Sequence, residues 1–163
     1  SAKQALDQVQ DAKRLLAITR KEHLKDIRQL ELEKLVDTFD NVVREHARPT
    51  EVTSFDSLVK TAQRSIDDSS EDFESYLNDL RDRLITILWR QDWFVIERFN
   101  WLAGNCHLFP DSHQHAGLVA AGMEALQAGD IKNLRSVVAN LDSTRISSVG
   151  EDDMLAGANI VRS

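Results

Sequence analysis

Glycine, proline and cysteine are scarce in this sequence. Six glycines and two prolines in 163 residues favour long helices over strands and tight turns. The lone cysteine, Cys106, cannot form an internal disulfide and favours a reducing compartment. The polar first residues do not resemble a signal peptide. Charged side chains interrupt the most apolar run, 84–102, so we expect no membrane span and a cytoplasmic protein.

Basic charge and nucleotide motifs are also missing. The formal net charge of -7 argues against nucleic acid and anionic membranes as main partners. The chain contains neither a phosphate-cradling glycine loop nor a dinucleotide fingerprint, so no ATP site is visible. The content of 42% hydrophobic and 29% charged residues is typical of a globular chain. We therefore expect a folded protein without a nucleotide cofactor in this segment and without enzyme activity.

The pattern of apolar residues predicts an all-α bundle of about five helices, with a long first helix and a C-terminal helical hairpin. Residues 1–48 hold no glycine or proline and form a predicted helix or arm that ends before Pro49. A bundle is predicted over 49–146, and a flexible tail over 147–163. In the bundle, a second helix starts near Thr53 or Ser54, and a third runs unbroken over 71–103.

The later boundaries are marked by turn residues. A fourth helix is predicted over 113–128, ended by Gly129, and Asp130 is predicted to cap a fifth that runs to Ser143. The segment 84–102 holds all three tryptophans and is apolar around most of its circumference, so it is predicted to be the centre of the bundle. Gly117, Gly122 and the alanines beside them are predicted to allow close approach to this aromatic helix.

One loop gathers residues that could carry chemistry. Cys106, His107, Asp111, His113 and His115 are the kinds of side chain that bind zinc or support a cysteine nucleophile. The spacing lacks a paired-cysteine motif, and no third orienting residue for catalysis is evident. The competing interpretation is a thiol beside capping and surface histidines, and it is the one we favour.

The segment ALQAGDIKNLRSVVANLDS, from Ala125 to Ser143, resembles the C-terminal helical region of DnaK-type heat-shock chaperones. There, too, a helix is followed by a Gly-Asp-type turn and a second helix rich in leucine and alanine. The long predicted helix at the N-terminus is similar to the leading helices of the chaperone lid. The chain ends without the acidic tail by which cytosolic eukaryotic members bind co-chaperones, which puts that interaction in doubt.

The resemblance implies a lid that covers unfolded polypeptide clients. It also implies an upstream peptide-binding domain as a partner, and ATP bound only in a further upstream domain. In that hypothesis the arm docks through Leu16, Ile27 and Leu30, because an isolated arm would leave these side chains exposed. The alternative is a stand-alone scaffold or dimerisation module, in which two first helices pair as a homodimer, although the heptads are imperfect.

Overall fold

A computed structural model describes residues 1–146 of the chain, and the described residues form helices and no strand. This confirms the predicted all-α class. The predicted tail, 147–163, lies outside the described residues. The α-helices are α1 (Ala2–Thr38), α2 (Pro49–Asp67), α3 (Phe73–Trp89), α4 (Asp92–Gly104), α5 (Ser112–Ala128) and α6 (Ile131–Thr144). Short π and 3-10 segments, Phe39–Val43 and Arg44–His46, follow α1, and a second 3-10 turn, Cys106–Leu108, follows α4.

The chain divides into two compact units. The first contains Ser1–Asn41 and Arg48–Arg81, and the second contains Val42–Ala47 and the chain from Asp82 onward. Helix α3 contributes residues to both. The second half of α1 packs with α2 in the first unit, and the division into an arm, 1–48, and a bundle, 49–146, stays a prediction.

The first unit is built where α1 meets α2 and the start of α3. The rings of Phe39 and Phe55 stack at 3.7 Å with an interplanar angle of 10°. Gln29 and Gln63 exchange two amide hydrogen bonds of 3.0 and 2.7 Å between the two helices. The remaining core side chains are apolar and almost fully buried: Leu32, Leu35, Ala62, Ile66, Phe73, Leu77 and Leu80. Aromatic stacking and apolar burial therefore fix the second half of α1.

Helix α1 turns two different faces to its surroundings. From Lys25 onward, the residues that contact the unit lie on one side, with Leu32 and Leu35 at its centre. The apolar residues of the first half, such as Leu16 and Ile27, lie about 120° around the helix from that side, at 100° per residue. The apolar residues of α1 therefore separate into a packed face and an exposed one.

The predicted third helix is interrupted at Arg90 and Gln91, where α3 ends and α4 begins. The guanidinium of Arg135 in α6 donates to the carbonyl oxygens of Trp89 and Arg90, at the open end of α3. It also forms a 3.0 Å ion pair with Asp92 at the start of α4. The unbroken helix over 71–103 is therefore wrong, because a distant arginine satisfies the carbonyls that an uninterrupted helix would bond internally.

The second helix also begins at a different residue from the one predicted. Helix α2 begins at Pro49, not near Thr53, since proline suits the first helical position, where an N–H is not required. The carboxylate of Glu51 accepts the backbone N–H of Arg48 at 2.8 Å. This bond satisfies one of the free donors at the helix start.

The C-terminal hairpin follows its sequence signals closely. Asp111 caps α5 and Asp130 caps α6 through side-chain bonds to backbone N–H groups, and Gly129 ends α5 at φ 68°. Leu134, Val137, Val138 and Leu141 of α6 are buried against α4 and α5. These boundaries confirm the predicted hairpin to within one residue.

Gly122 in α5 sits directly against the ring of Phe99 in α4, where an added Cβ would overlap the ring. We expect Gly122→Ala to lower the free energy of unfolding by roughly 1–3 kcal/mol, because Phe99 is fully buried and the ring cannot move without disturbing the core. Urea unfolding followed by tryptophan fluorescence measures this, since all three tryptophans lie in the second unit.

Gly117 in the same helix is the matched control, because nothing lies within 4 Å of its Cβ position. Gly117→Ala should leave stability unchanged or raise it by roughly 0.5–1 kcal/mol through helix propensity. Equal effects of the two substitutions would contradict close packing at Gly122.

Candidate interaction surface

The most prominent functional candidate is the exposed apolar face of α1, which we call the α1 stripe. Its large apolar side chains fall within an arc of about 120° on the helical wheel. They are Leu6, Val9, Leu16, Leu24, Ile27 and Leu30, and their exposed fractions run from 40% at Ile27 to 66% at Leu30. Three exposed alanines complete the apolar part: Ala2, Ala5 and Ala12. The stripe therefore extends from the start of α1 to Leu30.

The size of this surface is unusual for a folded chain. From Ala2 to Leu30 the helix rises about 42 Å at ~1.5 Å per residue. With about half of each large side chain exposed, the stripe presents several hundred Å² of apolar area, on the scale that marks interaction sites on soluble proteins. The exposed half of α1 also lacks the tertiary packing that stabilises most helices. An exposed helix with these properties is suited to pack against another polypeptide.

Three basic residues lie inside the α1 stripe. Lys13, Arg20 and His23 fall on the same 120° arc as the leucines, and all three are exposed. Between Ala2 and Leu30 the arc contains no aspartate or glutamate, since the acidic residues of this segment fall on other sides of the helix. The surface is thus apolar with a positively charged middle.

The residues predicted to dock the arm all lie on this surface. Leu16, Ile27 and Leu30 are 56%, 40% and 66% exposed, and whether they bind a partner stays a prediction. Lys13 and His23 were not among the residues predicted from the sequence. Their positions on the wheel would have revealed them, because Lys13 lies three residues before Leu16 and His23 lies four before Ile27.

Three basic residues of α1 that lie outside the stripe have partners within the chain. Arg14 pairs with Asp11 at 3.7 Å on the surface, as expected for neighbours three apart. Lys25 instead donates to the carbonyl oxygen of Asp67 at 3.2 Å. Arg28 donates to that of Ser70 at 3.0 Å and lies over the ring of Phe73. These two cations hold α1 against the end of α2 and the turn that follows it.

The loop after α4 does not bring its candidate ligands together. Among residues 1–146, no group of three His, Cys, Asp or Glu side chains is placed to hold a metal ion. His115 is buried, its Nε2 lies 3.0 Å from the carbonyl oxygen of Leu102, and its ring lies 4.3 Å from that of Phe109. Cys106, His107 and His113 are exposed, and Asp111 is occupied as the cap of α5. The arrangement fits a packed histidine beside a helix cap.

A buried ion pair lies between α4 and α6. Arg98 is fully buried and contacts Asp142 through Nη2 at 2.5 Å and Nε at 3.4 Å. Arg145 binds the same carboxylate at 3.3 Å, and the Trp101 ring lies 4.8 Å from the Arg98 guanidinium. Sequence reasoning treated Arg98 only as an interruption of the aromatic segment. Its contacts orient α6 on α4 and give it a structural role.

A small groove opens beside the turn between α5 and α6. Its volume is about 220 Å³, and its lining is mostly apolar, with two carboxylates at the edge. Asp92 at that edge is paired with Arg135, and Asp130 caps α6. Both carboxylates are therefore already used by the fold, and the groove offers no free polar group to orient a ligand.

Comparison with protein-family models, with curated proteins and with solved structures finds no match to this chain. The resemblance to the DnaK-type lid therefore stays a prediction drawn from the hairpin pattern. Within the part of the chain that the structure describes, no helix is both long enough and apolar enough to cross a bilayer. The α1 stripe remains the strongest candidate for a functional surface.

The Arg98–Asp142 pair gives a test of the second unit. We expect Asp142→Asn to cost about 2–3 kcal/mol of unfolding free energy, because it leaves a fully buried guanidinium without its counter-charge. The double variant Arg98→Met/Asp142→Asn should be more stable than Asp142→Asn alone, since the buried charge is then removed. Urea unfolding measured by tryptophan fluorescence compares them. A double variant no more stable than the single one would show that the pair does not act as proposed.

Proposed function

We propose that this chain is a protein-interaction module and not an enzyme, and that the α1 stripe is its docking surface. The observation that carries the proposal is the exposure of six large apolar side chains along one face of a long helix. Removing such a surface from water stabilises a complex in rough proportion to the apolar area covered. The first unit holds the helix by its other face, and the side chains of the stripe are exposed.

The anchoring of α1 supports this role. Lys25, Arg28 and the Phe39–Phe55 stack fix its second half on the first unit, and the unit's apolar core covers Leu32 and Leu35. A helix held firmly at one end presents its free half in a defined direction. The partner then meets a surface that is already ordered near Ile27 and Leu30, which lowers the entropic cost of binding.

A chaperone lid is a second candidate, favoured by the Gly129–Asp130 turn and the apolar face of α6. In that case the stripe would dock on an upstream peptide-binding domain, and the chain would help to retain unfolded polypeptide clients. Helical hairpins with a glycine C-cap and an aspartate N-cap occur in many unrelated bundles, so this turn favours the lid only weakly. Both candidates use the same face of α1.

Photo-cross-linking from single positions of α1 tests the docking surface. A photoreactive phenylalanine analogue replaces Leu16 in the stripe, in cells that naturally produce the protein. We expect a discrete cross-linked protein species from position 16, identified by mass spectrometry. The species should be lost in a Val9→Gln/Leu24→Gln background, because these changes remove apolar contact area from the stripe while glutamine preserves helix propensity.

Leu15 and Ile18 provide matched controls. They are as exposed as Leu16, at 65% and 55%, but they lie on another side of α1. The analogue at either position should give little of the species obtained from position 16. Cross-links of equal yield from both sides of the helix, or none from position 16, would contradict the proposed docking surface.

A further inference from the structure

We infer that the partner of the α1 stripe is an acidic amphipathic helix of another protein, with carboxylates that meet Lys13 and Arg20. This inference rests on the proposed function and adds the chemistry of the partner. Three features of α1 support it: basic residues within an otherwise apolar face, the spacing along that face and the charges of the helix itself.

Lys13 and Arg20 have no source of counter-charge on their own helix. The residues three and four positions away, where an intrahelical ion pair would form, are Gln10, Val9, Leu16 and Ala17 for Lys13, and Leu16, Ala17, His23 and Leu24 for Arg20. None is acidic. Within residues 1–146 neither cation has a hydrogen bond or ion pair, and both are exposed. By contrast, Arg14 next in sequence pairs with Asp11.

The spacing of the stripe suits a second helix. Positions 6, 9, 13, 16, 20, 23, 27 and 30 follow one another at alternating intervals of three and four, the a and d pattern by which helices pack side by side. Lys13 and Arg20 fall on the same heptad position, about 10.5 Å apart along the axis. A partner helix with carboxylates one heptad apart would reach both cations while its apolar residues cover the two ends of the stripe.

A second copy of this chain is a poor match for the same surface. In a parallel pair, Lys13 would meet Lys13 and Arg20 would meet Arg20 of the other copy. In an antiparallel pair centred between Leu16 and Arg20, Lys13 would meet His23. Because the stripe holds no carboxylate between Ala2 and Leu30, basic groups meet in the parallel pair and in this antiparallel register, which is unfavourable.

An anionic membrane also fits less well. Helices that lie on membranes carry lysine and arginine on the polar face, with apolar residues on the other. Here Arg20 lies near the middle of the apolar arc and Lys13 lies closer to its edge, so insertion would bring both charges towards the hydrocarbon. The other sides of the helix carry acidic residues, including Asp7 and Asp11.

Two designed peptides test the inference on the chain as it stands. Each is a helix about four heptads long with leucine at its a and d positions, except at two positions one heptad apart. These hold glutamate in one peptide and lysine in the other. Fluorescence anisotropy of the labelled peptides, at concentrations where each alone is monomeric, should show the glutamate peptide binding about tenfold more tightly at low salt. High salt should reduce the difference.

Substitution of the two cations distinguishes charge recognition from nonspecific apolar binding. Lys13→Glu/Arg20→Glu should reverse the preference between the two peptides. Arg14→Glu/Lys21→Glu is the matched control, because it changes the net charge equally at the neighbouring positions, which lie on another side of α1. This control should retain the preference for the glutamate peptide.

The remaining outcomes identify what overturns the inference. Equal binding of both peptides, or a preference that Lys13→Glu/Arg20→Glu leaves unchanged, would refute charge recognition. Self-association of the chain by sedimentation, lost with Leu16→Gln, would assign the stripe to a second copy. Binding to vesicles of phosphatidylserine and phosphatidylcholine without a peptide preference would assign it to a membrane. A discrete cross-link from position 16, combined with equal binding of both peptides or with an unchanged preference, would support the docking surface. The same combination would refute an acidic helix as its partner.

Discussion

A helix that packs against its own domain along one side leaves the opposite sides to solvent, and this constraint determines most of what α1 does. One face of its second half makes the aromatic stack of Phe39 on Phe55 and the bonds from Lys25 and Arg28 to backbone carbonyls. That face cannot also bury Leu16 or Ile27, which lie about 120° away. The exposed stripe is therefore a consequence of how the helix is held, and the same contacts that anchor α1 determine which residues remain available to a partner.

In the second unit, by contrast, two arginine side chains are buried or partly buried and bind groups within the unit. Arg98 is buried against Asp142, and Arg135 is bound to backbone carbonyls where α3 ends. Both arginines come from or reach α6, so the last described helix is tied to α4 and to the end of α3 by charge as well as by Leu134 and Val138. Such pairs contribute little net stability compared with apolar packing. They connect α6 to α4 and to the end of α3 at defined positions.

Much of the fold could be predicted from local sequence, whereas the break in the predicted third helix could not. The ends of α5 and α6 were predictable because Asp111, Gly129 and Asp130 act on the backbone beside them. The break before Asp92 was not, because the group that makes it possible is Arg135, more than forty residues further along the chain. Likewise, nothing beside Arg98 announces that Asp142 will bury it. Local signals determine where helices begin and end, whereas distant polar partners decide where a continuous pattern is interrupted.

The candidate surface shows the same division between local and distant information. The apolar residues of α1 were visible in the sequence, and Leu16, Ile27 and Leu30 were selected because an unpacked arm would expose them. Their pattern alone could not separate them from Leu35, since only the contact with α2 distinguishes the covered face from the free one. Once the free face is known, Lys13 and Arg20 differ from the other basic residues of α1 in their position. They are cations on an apolar face that has no carboxylate between Ala2 and Leu30, and acidic side chains on a partner helix would complement them.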